Sequence, residues 1–417
     1  MSTVDVKVAP RGHEGNQLIE ACGPILDPHE MAQRLLFLPS QPSNVGNIPP
    51  YIRPYEIVDL RNLHVPSPET IRVARAIDVL VRSGYVQRDP RERATWQRIY
   101  SRSEVPGKPK QSPLVCTVEG VPGVGKTAAV EQALSLSPQI VVHEQFPGLI
   151  GQVRQVVWLK VEIPSSGRAV DFVEALMRAT DDALGAEYFL RHYHSGRRSA
   201  VSMLNDWLNK TACHFIGILV LDEINNLFKI ETLAEQRRKV GKKGTPAVRV
   251  ADDEALKLIL YLINSAPMPI AISGTPDCLP ILATRCSTAQ RLVSGGFHKL
   301  THFEAPSTKQ FAECLLPTLL RYQWFEQKLP MSNELAQLVH QLSGGISRIC
   351  NALWRHAHLA AFERGAMRLE LDDFRHAAGG PLAFVAPSVA ALLSDDPAKL
   401  NRYVDLARAS ESEWRSL

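Results

Sequence analysis

The residues Gly120-Val121-Pro122-Gly123-Val124-Gly125-Lys126-Thr127 fit the pattern G-x-x-x-x-G-K-[ST] of a loop that wraps phosphate groups. Glycines let the backbone turn so that successive N–H groups converge on phosphate oxygens. Lys126 would reach the β- and γ-phosphates and the Thr127 hydroxyl would hold Mg²⁺. The helix that follows would offer its positive N-terminus. The flanks agree with this chemistry, because 114–119 reads as a buried strand and 128–136 as a helix.

A second group lies about 95 residues further on, where the apolar run 216–221 ends in Asp222 and Glu223. Ligands sit at strand C-termini in parallel sheets, so Asp222 would stand beside the loop and support Mg²⁺. Glu223 would orient or deprotonate the water that attacks a phosphoryl group. A strand simply leaving for solvent would look the same, and the spacing from the loop favours the chemical reading. At the end of a later strand, Ser273 or Thr275 could hydrogen-bond the γ-phosphate or the water, although Pro276 would also suit an ordinary turn. Arg348, in the first turn of a helix after Gly344-Gly345, could reach over the nucleotide or simply face water.

One basic cluster, Arg237, Arg238, Lys239, Lys242 and Lys243, places five cations in seven residues around a glycine. Such a loop can follow a nucleic-acid backbone, though basic runs also occur as solvated surface. The stretch 191–198 is a second basic run of the same ambiguity.

Composition bounds the class. The chain has 417 residues, 45% hydrophobic and 22% charged, with a formal net charge of +4. That is room for two or three domains of soluble globular character, and it gives no global argument for nucleic acid. Seven cysteines, none in C-x-x-C spacing, argue against a disulfide framework or a zinc site. The polar N-terminus shows no secretory leader, and no apolar run reaches the length of a membrane span, so a cytoplasmic protein is expected.

The elements that must position these residues follow from the patterning. Residues 1–112 read as an extension, with five prolines between 39 and 54 and a helix starting at Ser67-Pro68, for which Gly84 is the expected stop. Strands are expected at 114–119, 153–163, 216–221, 269–273 and 298–303, separated by helices at 169–184, 200–210 and 253–265. Alternation of this kind predicts a parallel, doubly covered α/β sheet over 113–306. Only helical patterns follow, at 308–320, 332–342, 347–363 and near Asp372, giving a small helical lid over 307–380. The tail 381–417 has weak periodicity and is expected to bind a partner or to be poorly ordered.

In combination, Glu119 to Thr127, Leu219 to Ile224, Ser273-Gly274-Thr275-Pro276 and Gly344 to Arg348 resemble the AAA+ ATPases, and among them the TnsC/TniB-type transposition regulators. The resemblance covers about 113–379. It implies a five-stranded parallel sheet with a helical lid and Mg·ATP bound by Lys126 and Thr127. Asp222 and Glu223 would serve hydrolysis, Ser273 or Thr275 would be the first sensor, and Arg348 the second. It also implies a homo-oligomeric ring or filament on duplex DNA that bridges a target-selection protein to a transposase, with hydrolysis as the reset. Relatives carry a Ser-Arg-Phe arginine finger where this chain reads Ser294-Gly295-Gly296-Phe297, so Arg285 or Arg291 is the candidate substitute. The adenine pocket is expected to draw on residues before Pro113.

Three other functions fit less well. A replication initiator or helicase loader would carry a winged helix after the lid, and the tail after Gly379 is too short for one. A signalling or defence NTPase would carry a large appended sensing domain. A scaffold that binds ATP without turning it over is kept open by the altered finger site.

Overall fold

The structure is a computed structural model that describes residues 10–101, 112–189, 199–229, 249–250, 253–277, 286–394, 396–400 and 403. Five parallel strands form the central sheet. They are β1 (Val115–Gly120), β4 (Trp158–Glu162), β5 (Ile218–Asp222), β8 (Ile270–Gly274) and β9 (Phe297–Leu300), in the order β4-β5-β8-β1-β9. Every residue of β1, β5 and β8 is buried, as expected for strands covered on both faces.

The two faces are read from alternate residues. Val115, Leu219, Leu221, Ile270 and Ile272 pack under the helices Ala169–Leu184, Ala200–Thr211 and Asp253–Ser265. Cys116, Val118, Ile218, Val220 and Ala271 pack under the helices Pro68–Val86 and Lys126–Ser135.

The helix Pro68–Val86 begins as expected, with the Ser67 side chain accepting from Thr70 N at 3.0 Å. It does not stop at Gly84, which lies inside the helix. A Cβ there would stand 2.7 Å from Cδ of Pro269, so this glycine serves the close approach of helix to sheet and not a helix end. Leu18, Ile19 and Leu35 from the first forty residues join the same core, and Ile57 and Leu60 enter the core of the lid.

The expected single strand 153–163 is two. β3 (Val153–Val156) pairs antiparallel with β2 (Ile140–His143), and only β4 enters the central sheet. Both pieces are extended with no glycine or proline at Val157, so the change of partner leaves no mark in the composition. A further pair, β6 (Phe228–Lys229) and β7 (Arg249–Val250), is antiparallel. The lid contains the helices Asn333–Ser343, Ser347–Glu363 and Leu371–Gly379 around Trp354, Phe325 and Phe374. The tail begins with a helix, Ala386–Ser394, whose Val389 and Leu392 are buried. Its Ala-rich sequence is apolar on most sides and so shows little periodicity.

Candidate functional site

Because β1, β8 and β5 are successive neighbours running the same way, their C-terminal ends lie side by side. The loop after β1, the acids at the end of β5 and the hydroxyls at the end of β8 and just beyond it therefore lie at one edge. Gly123 and Gly125 have φ of +83° and +103°, the left-handed region that the loop's turn requires. Lys126 is buried and donates to the Gly120 carbonyl at 2.7 Å.

A cleft of about 1310 Å³ opens between this edge and the lid. Its wall includes Pro122, Gly123, Val124, Gly125, Lys126 and Thr127, together with Glu223, Thr275 and Arg348. The sequence-predicted groups are thus brought to one space from four separate segments. Gly120, Val121, Asp222 and Ser273 are buried and do not form part of that wall.

Asp222 closes β5, almost wholly buried. Its Oδ1 accepts from the Glu223 N–H at 3.0 Å, and its Oδ2 lies 3.2 Å from Lys160 Nζ. Glu223 has φ of +55°, a conformation costly for a residue with a side chain. That turn places its side chain on the cleft, away from the apolar β5 path. Lys160, on β4, also donates to Glu131 Oε1 at 2.5 Å. Burial opposes its charge, but the Glu131 hydrogen bond and the charge of Asp222 prevail and hold its pKa above the ordinary lysine value. A lysine inside a strand that should be apolar was the sequence signal for it.

The lid enters through Arg348. Its backbone N–H donates to Gly123 O at 3.1 Å, and its side chain faces the cleft. Asn351 and Arg355 follow at helical spacing on the same face, and Arg61 and His64 face them from the segment before the helix Pro68–Val86. Among the described residues, Asn225 Oδ1, Asn351 Oδ1, Arg355 Nε and His64 Nε2 are buried with no hydrogen-bond partner. Burial, reinforced by the nearby Arg61, lowers the pKa of Arg355, and burial lowers that of His64. Cleft-lining polar atoms of this kind suit a ligand with both donors and acceptors.

Residues 110–282 match the family described as AAA domain. The chain carries an AAA domain. Its five-stranded parallel sheet, flanking helices and helical C-terminal part form the AAA+ P-loop fold. Similar solved structures include ORC2 of Aeropyrum pernix in its ADPNP–ADP complexes, at 13% identity and a TM-score of 0.42 over 77% of this chain and 71% of that one. The ADP form of the same protein matches at 12% and 0.40 over 68% and 72%. Drosophila ORC bound to DNA matches at 14% and 0.38 over 88% and 76%. No curated protein matches the chain by sequence.

Of the other expected positions, one is described and lies away from the cleft. Arg291, on the helix Cys286–Leu292, donates to Asn264 Oδ1 and is not part of the cleft wall. Arg285 and the basic cluster Arg237, Arg238, Lys239, Lys242 and Lys243 lie outside the described residues. Among the described residues no group of three metal-ligating side chains occurs, and no helix is long and apolar enough to cross a membrane.

Proposed function

We propose that the AAA domain is a Mg·ATP-dependent switch with slow hydrolysis. The observation that supports this reading is the convergence of Lys126, Thr127, Glu223, Thr275 and the lid residue Arg348 on one cleft. The residues suit the ligand: a hydroxyl and a carboxylate, from Thr127 and Asp222, are the hard oxygen donors that Mg²⁺ prefers. Asn225 Oδ1, a buried oxygen of a cleft-lining residue, has capacity for new hydrogen bonds. Bound Mg²⁺ would neutralise phosphate charge.

The chain's own groups then divide the work. The loop N–H groups and Lys126 bind and orient the phosphates. Glu223, fixed by its left-handed turn, takes the proton of the attacking water. Thr275 or Ser273 positions that water, and Arg348 couples the phosphates to the lid. The segment 61–65 with Asn351 receives the adenine end.

In the cell, this switch would act as a cytoplasmic regulator of transposition. It would assemble as a ring or filament on duplex DNA and link a target-selection protein to a transposase, with hydrolysis as the disassembly step. Arg237, Arg238, Lys239, Lys242 and Lys243 would contact DNA, and Arg291 or Arg285 would serve as the arginine finger toward a neighbouring copy. The sequence motifs support this finer reading.

Electron microscopy of the purified chain with duplex DNA, with and without a slowly hydrolysed ATP analogue, tests it. Nucleotide-dependent rings or filaments on DNA are expected. Dispersed particles indifferent to DNA would move the assignment to a signalling NTPase.

A further inference from the structure

Lys160 connects the two elements that would hold a metal. Thr127 and Glu131 are four residues apart on the helix Lys126–Ser135, and so share one face. The Lys160 ammonium lies 2.5 Å from Glu131 Oε1 and 3.2 Å from Asp222 Oδ2 across the sheet edge. Its two partners differ sharply: the Asp222 side chain is 3% exposed and that of Glu131 is 56% exposed. A charged carboxylate as buried as Asp222 needs a counter-charge, and Lys160 supplies it. The other oxygen of Asp222 is held by the Glu223 N–H. Both oxygens of the acid are therefore engaged.

We infer that Lys160 is a positioning residue that holds Asp222 Oδ2 in competition with Mg²⁺, and that Glu131 draws its ammonium aside when metal and nucleotide bind. The inference rests on the reading of Asp222 as the metal-supporting acid. Its physical basis is repulsion, since an ammonium and a divalent cation on one carboxylate oxygen oppose each other at these distances. Glu131, largely in water, accepts the displaced ammonium without further desolvation. Lys160 thus keeps the acid oriented before loading, and sets how much Mg²⁺ is needed to load the site.

The test titrates Mg²⁺ into the full chain with a fluorescent ATP analogue and reads the midpoint for metal-dependent binding. Four proteins are compared: wild type, Lys160→Met, Glu131→Gln and the double variant. Lys160→Met should lower the midpoint by roughly tenfold, and Glu131→Gln should raise it several-fold by leaving the ammonium wholly on Asp222. In the Lys160→Met background the Glu131→Gln effect should vanish, because Glu131 acts through the ammonium. An unmoved midpoint in Lys160→Met, or an equal Glu131→Gln effect in both backgrounds, overturns the inference. Should Lys160→Met fail to fold, a midpoint for Glu131→Gln at or below that of wild type overturns it alone. A wild-type chain that binds no nucleotide, or binds it without regard to Mg²⁺, fails the reading of the site itself and is recognised before any substitution is made.

Discussion

The backbone N–H of Arg348 donates to the carbonyl of Gly123 at 3.1 Å, so the first turn of the lid helix is fastened to the phosphate-binding loop. A Cβ on Gly123 would meet Ile346 Cγ2 at 2.9 Å, which shows how closely the two are seated. A displacement of the loop would therefore bear directly on the helix Ser347–Glu363.

The seating depends on Gly345. It has φ of +66°, and a Cβ there would stand 2.1 Å from the Phe303 carbonyl, which also accepts from His340. Gly345→Ala should cost about 2 kcal/mol or more, from left-handed strain plus displacement of the loop after β9. Gly365→Ala, at φ of +67° with open space around it, isolates the strain and should cost about 1 kcal/mol. Urea unfolding of both variants measures the difference, and equal costs would remove Gly345 from the docking argument.

Ser273 and Thr275 can be separated as sensor candidates. Both residues are buried, but Thr275 lines the cleft and Ser273 does not, and the Ser273 hydroxyl has no hydrogen-bond partner among the described residues. Thr275→Val should slow ATP turnover by tenfold or more, roughly the loss of one hydrogen bond in the transition state. Ser273→Ala should leave turnover near wild type and raise stability by about 1 kcal/mol, by removing an unsatisfied buried group. The reverse pattern of rates would transfer the role to Ser273.

Much of this was legible in the sequence. The phosphate loop, the Asp222-Glu223 step and the helices 169–184, 253–265 and 347–363 follow from spacing and periodicity alone, because each is set by local chemistry. What was not legible depends on partners distant in sequence. Nothing near Val157 announces that β3 and β4 belong to different sheets. Gly84 looks like a helix stop until Pro269 is found against it. Residues Arg61 and His64 reach the cleft only because the helix Pro68–Val86 carries its leading segment to the lid. The Lys160–Asp222 contact requires the register of β4 on β5, although a lysine between Leu159 and Val161 was a hint.

His358 gives the lid an acid limit. It is fully buried among Trp324, Phe325, Trp354 and Phe362, and burial drives its pKa down to about 4 despite the hydrogen bond to the Trp354 carbonyl and the charge of Asp373. The unfolded chain takes up this proton near the ordinary value of 6.5, before the folded chain does. Stability is therefore full above about pH 6.5 and falls as pH drops toward 4, by about 3 kcal/mol in all. Denaturation midpoints measured from pH 8 to 4 should show this limb, and His358→Phe should flatten it. An unchanged slope in the variant would assign the limb to other groups.

The basic cluster is tested through salt. If Arg237, Arg238, Lys239, Lys242 and Lys243 each neutralise a phosphate of duplex DNA, the slope of log K against log salt should flatten by about 4 to 5 when all five become alanine. ATP binding by the same variant, measured without DNA, should match wild type. A slope that does not move would mean that these cations serve only as solvated surface.

Glu223 joins strain to chemistry. Its left-handed φ of +55° follows directly on Asp222, whose Oδ1 holds the Glu223 N–H and so fixes the turn. Glu223→Gln keeps size and backbone but loses the carboxylate proposed to take a proton from water. It should bind ATP as wild type does and lose turnover by at least 100-fold, within the range for general-base removal. Glu223→Asn should lose turnover equally while gaining up to about 1 kcal/mol of stability, because Asn adopts the left-handed region more readily. Paired measurements of turnover and unfolding on the two variants decide the matter. Wild-type turnover in Glu223→Gln would end the assignment of the base, whereas stability lost in Glu223→Asn would mean that the Glu223 side chain is held by contacts worth more than the strain.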